Sequence, residues 1–125
     1  QFVHSTEQRR LAQNMIDAGA DLIVGSHPHV VQDIEVIGGV PVVYSLGNFV
    51  FDQRIPETWT GLSLGVTVDA RFVILYLLPI ATKGSQPTPL SDALAEDVMT
   101  RLLKSSPSLY DVSTRGSLRL PRRTF

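Results

Sequence analysis

The chain has 125 residues, with eleven Lys and Arg against twelve Asp and Glu and a formal net charge of -1. Hydrophobic residues make up 43% and charged residues 18%, which suits one modest core and argues against wholesale disorder. The near-neutral balance gives no argument for nucleic-acid binding, and the absence of cysteine excludes both a disulfide framework and a thiolate metal site.

Ser5 to Gln8 reads as a helix start. Ser5 caps the first turn, and Gln8 is placed to return the bond as a capping box. His4, just before it, reads as an ordinary surface residue. Leu11, Ala12, Met15 and Ile16 then fall on one apolar face, with Arg9, Arg10, Gln13, Asn14 and Asp17 largely off it, and Gly19 ends the helix. Leu22 to Val24 is a short apolar strand of the kind buried on both faces. It runs into Gly25 and Ser26, and then into His27 and His29 on either side of Pro28. A strand end that delivers two imidazoles one residue apart suits a metal, because imidazole is a common ligand and a rigid support limits the entropy lost on coordination. Pro28 fixes its own φ and biases His27 towards extended backbone. The same spacing also reads as a polar turn whose histidines bond only to backbone. Helix, tight turn, buried strand and polar loop together are the grammar of an α/β layer.

Val30 to Ile37 has the alternation of a half-buried strand, Gly38 and Gly39 make a two-residue hairpin turn, and Val40 to Tyr44 returns antiparallel. Pro41 suits an edge or entry position. Gln32 reads as solvent-facing, or as a side chain orienting one of the imidazoles. Gly47 and Asn48 interrupt an apolar run, and Asn48 and Asp52 put oxygen acceptors on a turn that the hairpin can bring near His27 and His29. They are the candidate catalytic residues. The competing reading is a β-bulge, with Asn48 chosen for its tolerance of left-handed backbone. Residues 53 to 61 form a loop holding Trp59, which either stacks on a substrate or pins the loop. Leu62 to Val68 and Phe72 to Leu78 form a second hairpin across Asp69 to Arg71. The longest apolar run, Phe72 to Ala81, is far short of the ~20 residues a membrane-spanning helix needs. Lys83 to Pro89 is a break rich in turn residues. Ser91 to Lys104 fits a helix with Leu94, Val98 and Leu102 on one face. Beyond Tyr110, Arg115, Arg119, Arg122 and Arg123 follow with no acidic residue after Asp111. They read as a solvated basic tail, or as a contact for an anionic polymer, a phosphate or a lipid surface.

Three blocks, Gln8 to Gln13, Ile16 to Gln32 and Pro41 to Asp52, resemble the CapA family of capsule and poly-γ-glutamate biosynthesis proteins. That family is itself similar to the calcineurin-like metallophosphoesterases. The resemblance covers roughly Gln8 to Pro79. It implies an α/β fold that is part of a four-layer αββα sandwich, with β-hairpins after the His27 to His29 loop and a C-terminal helix and tail. Residues 1–82 would be the C-terminal part of such a domain, and 83–125 a linker, helix and basic tail.

By the same resemblance, His27 and His29 close a centre of two divalent metal ions (manganese, zinc or iron), ~3.5–4 Å apart in such sites. The family carries an Asp-x-His pair, a further Asp and an Asn upstream, and none of these motifs stands in this chain. A catalytic metal wants at least three protein ligands, so the missing N-terminal half would be this chain's partner in the site. Little or no hydrolysis is expected from the chain alone. Ser26 stands where many family members have a further histidine. It joins Gln32 and Trp59 as an auxiliary candidate for substrate contact. The resemblance implies a phosphoesterase-type hydrolase in full-length form, acting on an anionic polymer or phosphorylated substrate at the cell envelope, without nucleic acid. The alternative is a non-catalytic polymer-binding or assembly subunit of the capsule machinery. A third reading is a remnant whose apolar seam needs the missing half.

Overall fold

The first helix, α1, spans Thr6–Asp17 and opens on the expected reciprocal cap. Ser5 Oγ accepts the Gln8 N–H at 3.2 Å, and Gln8 Oε1 accepts the Ser5 N–H at 2.8 Å. Gly19, at φ 103°, turns the chain out of the helix. Its buried face is narrower than the sequence suggests: Ala12 and Ile16 are enclosed, while Leu11 and Met15 are 54% and 44% exposed. The computed structural model describes residues 1–109 and 116–122.

Three short strands follow, β1 (Ile23–Val24), β2 (Ile34–Ile37) and β3 (Val40–Val43), in the spatial order β1-β3-β2. β3 runs parallel to β1 and antiparallel to β2, with Gly38 and Gly39 at positive φ in the hairpin turn. All four residues of β3 are buried because it is the central strand. Pro41 is the second residue of this central strand, so the entry position holds and the edge position does not. It is tolerated because pairing with β1 begins only at Val42, so its missing N–H costs no ladder bond. β1 is the edge strand, and Val24 is 46% exposed, so the expected burial on both faces does not hold. Val31 makes only a single bridge, to Leu46.

The second sheet is built on a long hairpin, β4 (Thr60–Val68) and β5 (Phe72–Ala81), paired throughout from Thr60↔Ala81 to Val68↔Val73. Asp69 Oδ1 accepts the N–H groups of Arg71 and Phe72, each at 2.7 Å, and closes the turn. On the free side of β5 lie β6 (Thr88–Pro89) and β7 (Ser117–Pro121). Between them comes the second helix, α2 (Asp92–Ser105), which buries Val98 and Leu102 but leaves Leu94 57% exposed. Past its end, Ser106 Oγ and Ser108 Oγ accept the outward N–H groups of Ile34 and Val36 at 2.8 and 3.0 Å. These bonds satisfy an edge of β2 that no strand covers among the described residues.

The basic tail expected to be solvated is corrected in its described part. Residues 117–121 form a strand against β5, with Leu118 only 2% exposed. Leu118 and Leu120 alternate with Ser117 and Arg119, and that two-residue period outweighs the arginines. Arg115 and Arg123 lie outside the described residues.

Alternation along β3 divides the core. Val43 faces Leu62, Val73, Leu75, Leu77 and Leu118 of the second sheet, together with Leu102 and Leu109. Val40, Val42 and Tyr44 face Ala12 and Ile16 of α1. The result is a partial α/β sandwich, with α1 on one sheet and the second sheet against its other face. Among the described residues, no helix is long and apolar enough to cross a membrane.

Candidate functional site

The end of β1 is bound tightly to β3. Gly25 donates its N–H to Val43 O at 2.7 Å, and a Cβ on Gly25 would lie 2.3 Å from Tyr44 O. Only glycine fits there, and from it the chain must leave the sheet at once. It does so through His27 at φ 97° and His29 at φ 62°. The extended backbone expected of His27 before Pro28 is therefore not adopted. Left-handed backbone at residues other than glycine costs about 1–3 kcal/mol each, and such strain collects at ligand sites and switches.

This backbone holds the two imidazole rings with centroids 5.8 Å apart and planes tilted by 50°. His29 Nδ1 is 2.8 Å from Asn48 Oδ1. The orientation of the Asn48 amide follows from its other bonds, because Nδ2 donates to the backbone oxygen of Thr58 at 3.3 Å and to Gln53 Oε1 at 3.2 Å. A carbonyl can only accept, so the nitrogen must face Thr58 and the oxygen must face the histidine. His29 Nδ1 therefore carries a hydrogen, which in the neutral imidazole leaves the lone pair on Nε2. Phe51 packs on the same ring with centroids 4.9 Å apart. Asn48 is 6% exposed.

The left-handed residue in this turn is Gly47, at φ 71°, and not Asn48. A Cβ on Gly47 would press on Thr60 O at 3.1 Å and on Val31 N at 3.2 Å. The reading of Asn48 as a residue chosen for left-handed backbone gives way to one in which glycine takes the strain and asparagine supplies the bonds. Gln53, which helps to set the amide, was not singled out from sequence. It sits in a loop without a recognisable motif.

The other candidates separate. Asp52 is exposed and makes no hydrogen bond or ion pair among the described residues. Ser26 is exposed and lines a cleft of about 300 Å³ with Val24, Leu46, Asn48, Phe49 and Leu62, so the cleft touches the site at Ser26 and Asn48, not at the imidazoles. Trp59 donates Nε1–H to Gln53 O at 2.8 Å, with Lys83 Nζ 5.1 Å from its ring. Gln32 is neither solvent-facing nor bonded to an imidazole. It is 3% exposed, and Nε2 donates to Gln1 O and Val3 O at 3.2 and 3.3 Å. Its Oε1 accepts from Gln8 Nε2 at 2.8 Å.

His4 is not an ordinary surface residue. Its Nδ1 is 2.7 Å from Asp33 Oδ2, its N–H donates to Asp33 Oδ1 at 2.8 Å, and its ring stacks on Tyr44 at 4.0 Å. Tyr44 donates its hydroxyl to Glu35 at 2.9 Å, and Arg9 pairs with the same carboxylate at 3.0 Å. Burial, reinforced by the Glu35 carboxylate, pushes the Tyr44 hydroxyl well above the ordinary tyrosine range. With Gln32, this cluster straps residues 1–4 to β2.

His27 and His29 are the residue types that could hold a divalent metal. His27 is exposed, His29 is partly accessible, and their rings are close together. They are a partial donor set. Among the described residues, no group of three or more His, Cys, Asp or Glu is placed to hold a metal ion.

A family model described as bacterial capsule synthesis protein PGA_cap matches residues 1–53, the stretch that contains His27, His29, Asn48 and Asp52. The chain is 48% identical over 83 residues to the PGA biosynthesis protein CapA of Bacillus subtilis (strain 168), a match covering 66% of this chain and 20% of that protein. It is 39% identical over 109 residues to the capsule biosynthesis protein CapA of Bacillus anthracis, covering 83% of this chain and 26% of that protein. The chain thus spans between a fifth and about a quarter of the length of these curated relatives.

Proposed function

This chain belongs to the CapA family of bacterial capsule synthesis proteins, and from that premise we propose that it serves the assembly of an anionic capsule polymer of the poly-γ-glutamate type at the cell envelope. We further propose that His27 and His29 are ligands of a divalent metal site whose remaining ligands come from outside these 125 residues. The reaction class is metal-assisted hydrolysis or transfer at a phosphoryl-type centre, with one or two manganese, zinc or iron ions. The observation that carries the metal reading is the strained pair itself, with His29 Nε2 left bare by the bond from Nδ1 to Asn48.

A bound divalent ion would supply a Lewis acid and an activated water. The residues of this chain do the positioning. Asn48 holds the His29 hydrogen on Nδ1 and so keeps Nε2 available, as carboxylates and carbonyls do beside metal-bound histidines. Gln53 and the Thr58 carbonyl keep the Asn48 amide from turning round. Phe51 limits rotation of the ring and screens one side from water. Ser26 and the cleft beside it offer room for part of a substrate.

The test is to introduce His27→Ala and His29→Ala, singly and together, into the gene that encodes this chain and to measure surface polymer. Loss of polymer with normal protein levels supports the reading. Unchanged polymer in the double variant contradicts it.

A further inference from the structure

Two groups of arginines contrast among the described residues. On α1, Arg9 is paired with Glu35 and Arg10 with Glu7, so their charges are answered locally. At the tip of the β4–β5 hairpin three arginines share one nearby carboxylate, Asp69, which feels the charges of Arg71 and Arg119 without forming an ion pair to either. The register Phe72↔Pro121 and Ile74↔Arg119 puts Arg119 on the outer face of the second sheet, where its Cζ lies 3.6 Å from the centroid of the Phe72 ring. Arg71 Cζ lies 5.6 Å from the same centroid. Arg122 donates its N–H to Arg71 O at 2.7 Å and Nη1–H to Asp69 O at 3.2 Å.

Three guanidinium groups are thus gathered by an aromatic ring and by backbone carbonyls, and none forms an ion pair with a carboxylate among the described residues. The nearby acid, Asp69, has Oδ1 committed to the Arg71 and Phe72 N–H groups. Like charges gathered in this way repel, and the repulsion is relieved when an anion docks. Stacking on Phe72 also restricts the arginine side chains before any ligand arrives, which lowers the entropy lost on binding. The same face of β5 continues through Ile74 to Tyr76 and Leu78, which are 46% and 51% exposed. Charge at one end and an apolar stripe beyond it suit a chain that alternates carboxylates with aliphatic carbons.

We propose that the outer face of the second sheet, with Arg71, Arg119 and Arg122 around Phe72, docks an extended polycarboxylate with an aliphatic backbone. The identity of that polymer rests on the capsule reading above, while the surface is separate from the imidazole site. Guanidinium groups meet carboxylates through two parallel hydrogen bonds, so arginine is worth more here than an equal number of lysines.

The experiment measures binding of fluorescently labelled poly-γ-glutamate to the full chain by anisotropy, with polyphosphate as the comparison anion. Binding to poly-γ-glutamate should weaken about tenfold between about 0.02 and 0.3 M salt, as screening of exposed charge requires. The triple variant R71Q/R119Q/R122Q should lose about tenfold, and R71K/R119K/R122K should fall between it and the parent because charge remains and the fork is gone. Circular dichroism shows whether the triple variant stays folded. R119Q alone leaves the turn bonds of Arg122 intact and should still lose about threefold. Arg10→Gln, whose charge is paired with Glu7 on α1, should leave binding unchanged. Absence of binding at low salt, or a folded triple variant that binds like the parent, overturns the proposal. Binding of polyphosphate but not poly-γ-glutamate overturns the polycarboxylate assignment. None of these outcomes bears on the metal reading, which is tested separately at His27 and His29.

Discussion

Around His27 and His29 the chain passes through strands of two and four residues, two left-handed histidines, and glycines whose neighbours leave no room for a Cβ. In the β4–β5 hairpin it passes through nine and ten residues in unbroken register. The first region is held by particular bonds between distant side chains and backbone, the second by periodic pairing and apolar burial. The family model covers the first and stops short of the second. A region whose geometry depends on individual residues leaves motifs in a sequence. A region whose geometry depends on alternation tolerates many sequences and leaves few.

Glycine substitution breaks this comparison most forcefully. Gly25→Ala drives a methyl group to 2.3 Å from a backbone oxygen, and should cost about 4 kcal/mol or more, at the upper end of single-residue effects. Gly65→Ala in β4 meets only the Tyr76 side chain at 3.4 Å, and should lie within about 1 kcal/mol of the parent because alanine restricts the unfolded chain. Thermal or urea unfolding of the two variants measures both. Equal losses would show that the two regions do not differ in this way.

Asn48→Ala is expected to have a smaller effect on stability and a larger one on the site. It leaves Gln53 Oε1 without its donor and the Thr58 carbonyl with only the Thr82 hydroxyl, 3.2 Å away, at a cost of about 1–3 kcal/mol in urea unfolding. It also releases His29 Nδ1, so the imidazole ¹⁵N shifts should move towards a mixture of tautomers. Unchanged shifts would remove Asn48 from its positioning role.

pH sharpens the contrast with the smallest effects. Asp69 in the hairpin turn is held below the ordinary carboxylate range by the Arg71 and Phe72 N–H bonds. Its contribution is present above the unfolded value of about 3.9 and fades as pH falls through the lower folded value. Tyr44 behaves in the opposite sense. Its raised pKa keeps the hydroxyl neutral in the folded protein, so its contribution is full below the unfolded value of about 10 and is lost as pH rises through the folded one. Ultraviolet titration should show one tyrosine ionising late, and Tyr44→Phe should abolish that late step.

Much of the local architecture was legible. The Ser5 and Gln8 cap, the Gly38 and Gly39 turn and the Asp69 to Arg71 turn depend on neighbours in sequence, and each lies where the residue pattern puts it. What escaped depends on partners far along the chain. Gln32 is buried because residues 1–3 fold back on it, and His4 is enclosed because Asp33 and Tyr44 lie opposite. Val24 is exposed because β1 falls at a sheet edge, and strand order is not written in a run of apolar residues. Residues 117–121 pair with β5 although four arginines suggested solvent. At the site, His27 and His29 stood out by spacing, whereas the role of Gln53 emerges only from the amide it fixes.

The central claim is that His27 and His29 are metal ligands, with His29 presenting Nε2. Imidazole ¹⁵N spectra of the chain during titration with zinc test it most directly. The account predicts that before metal His29 carries its hydrogen on Nδ1. On addition, the shifts of His27 and of His29 Nε2 should move together while His4 stays still. Silence of both imidazoles at millimolar zinc, or an equal response from His4, would contradict it.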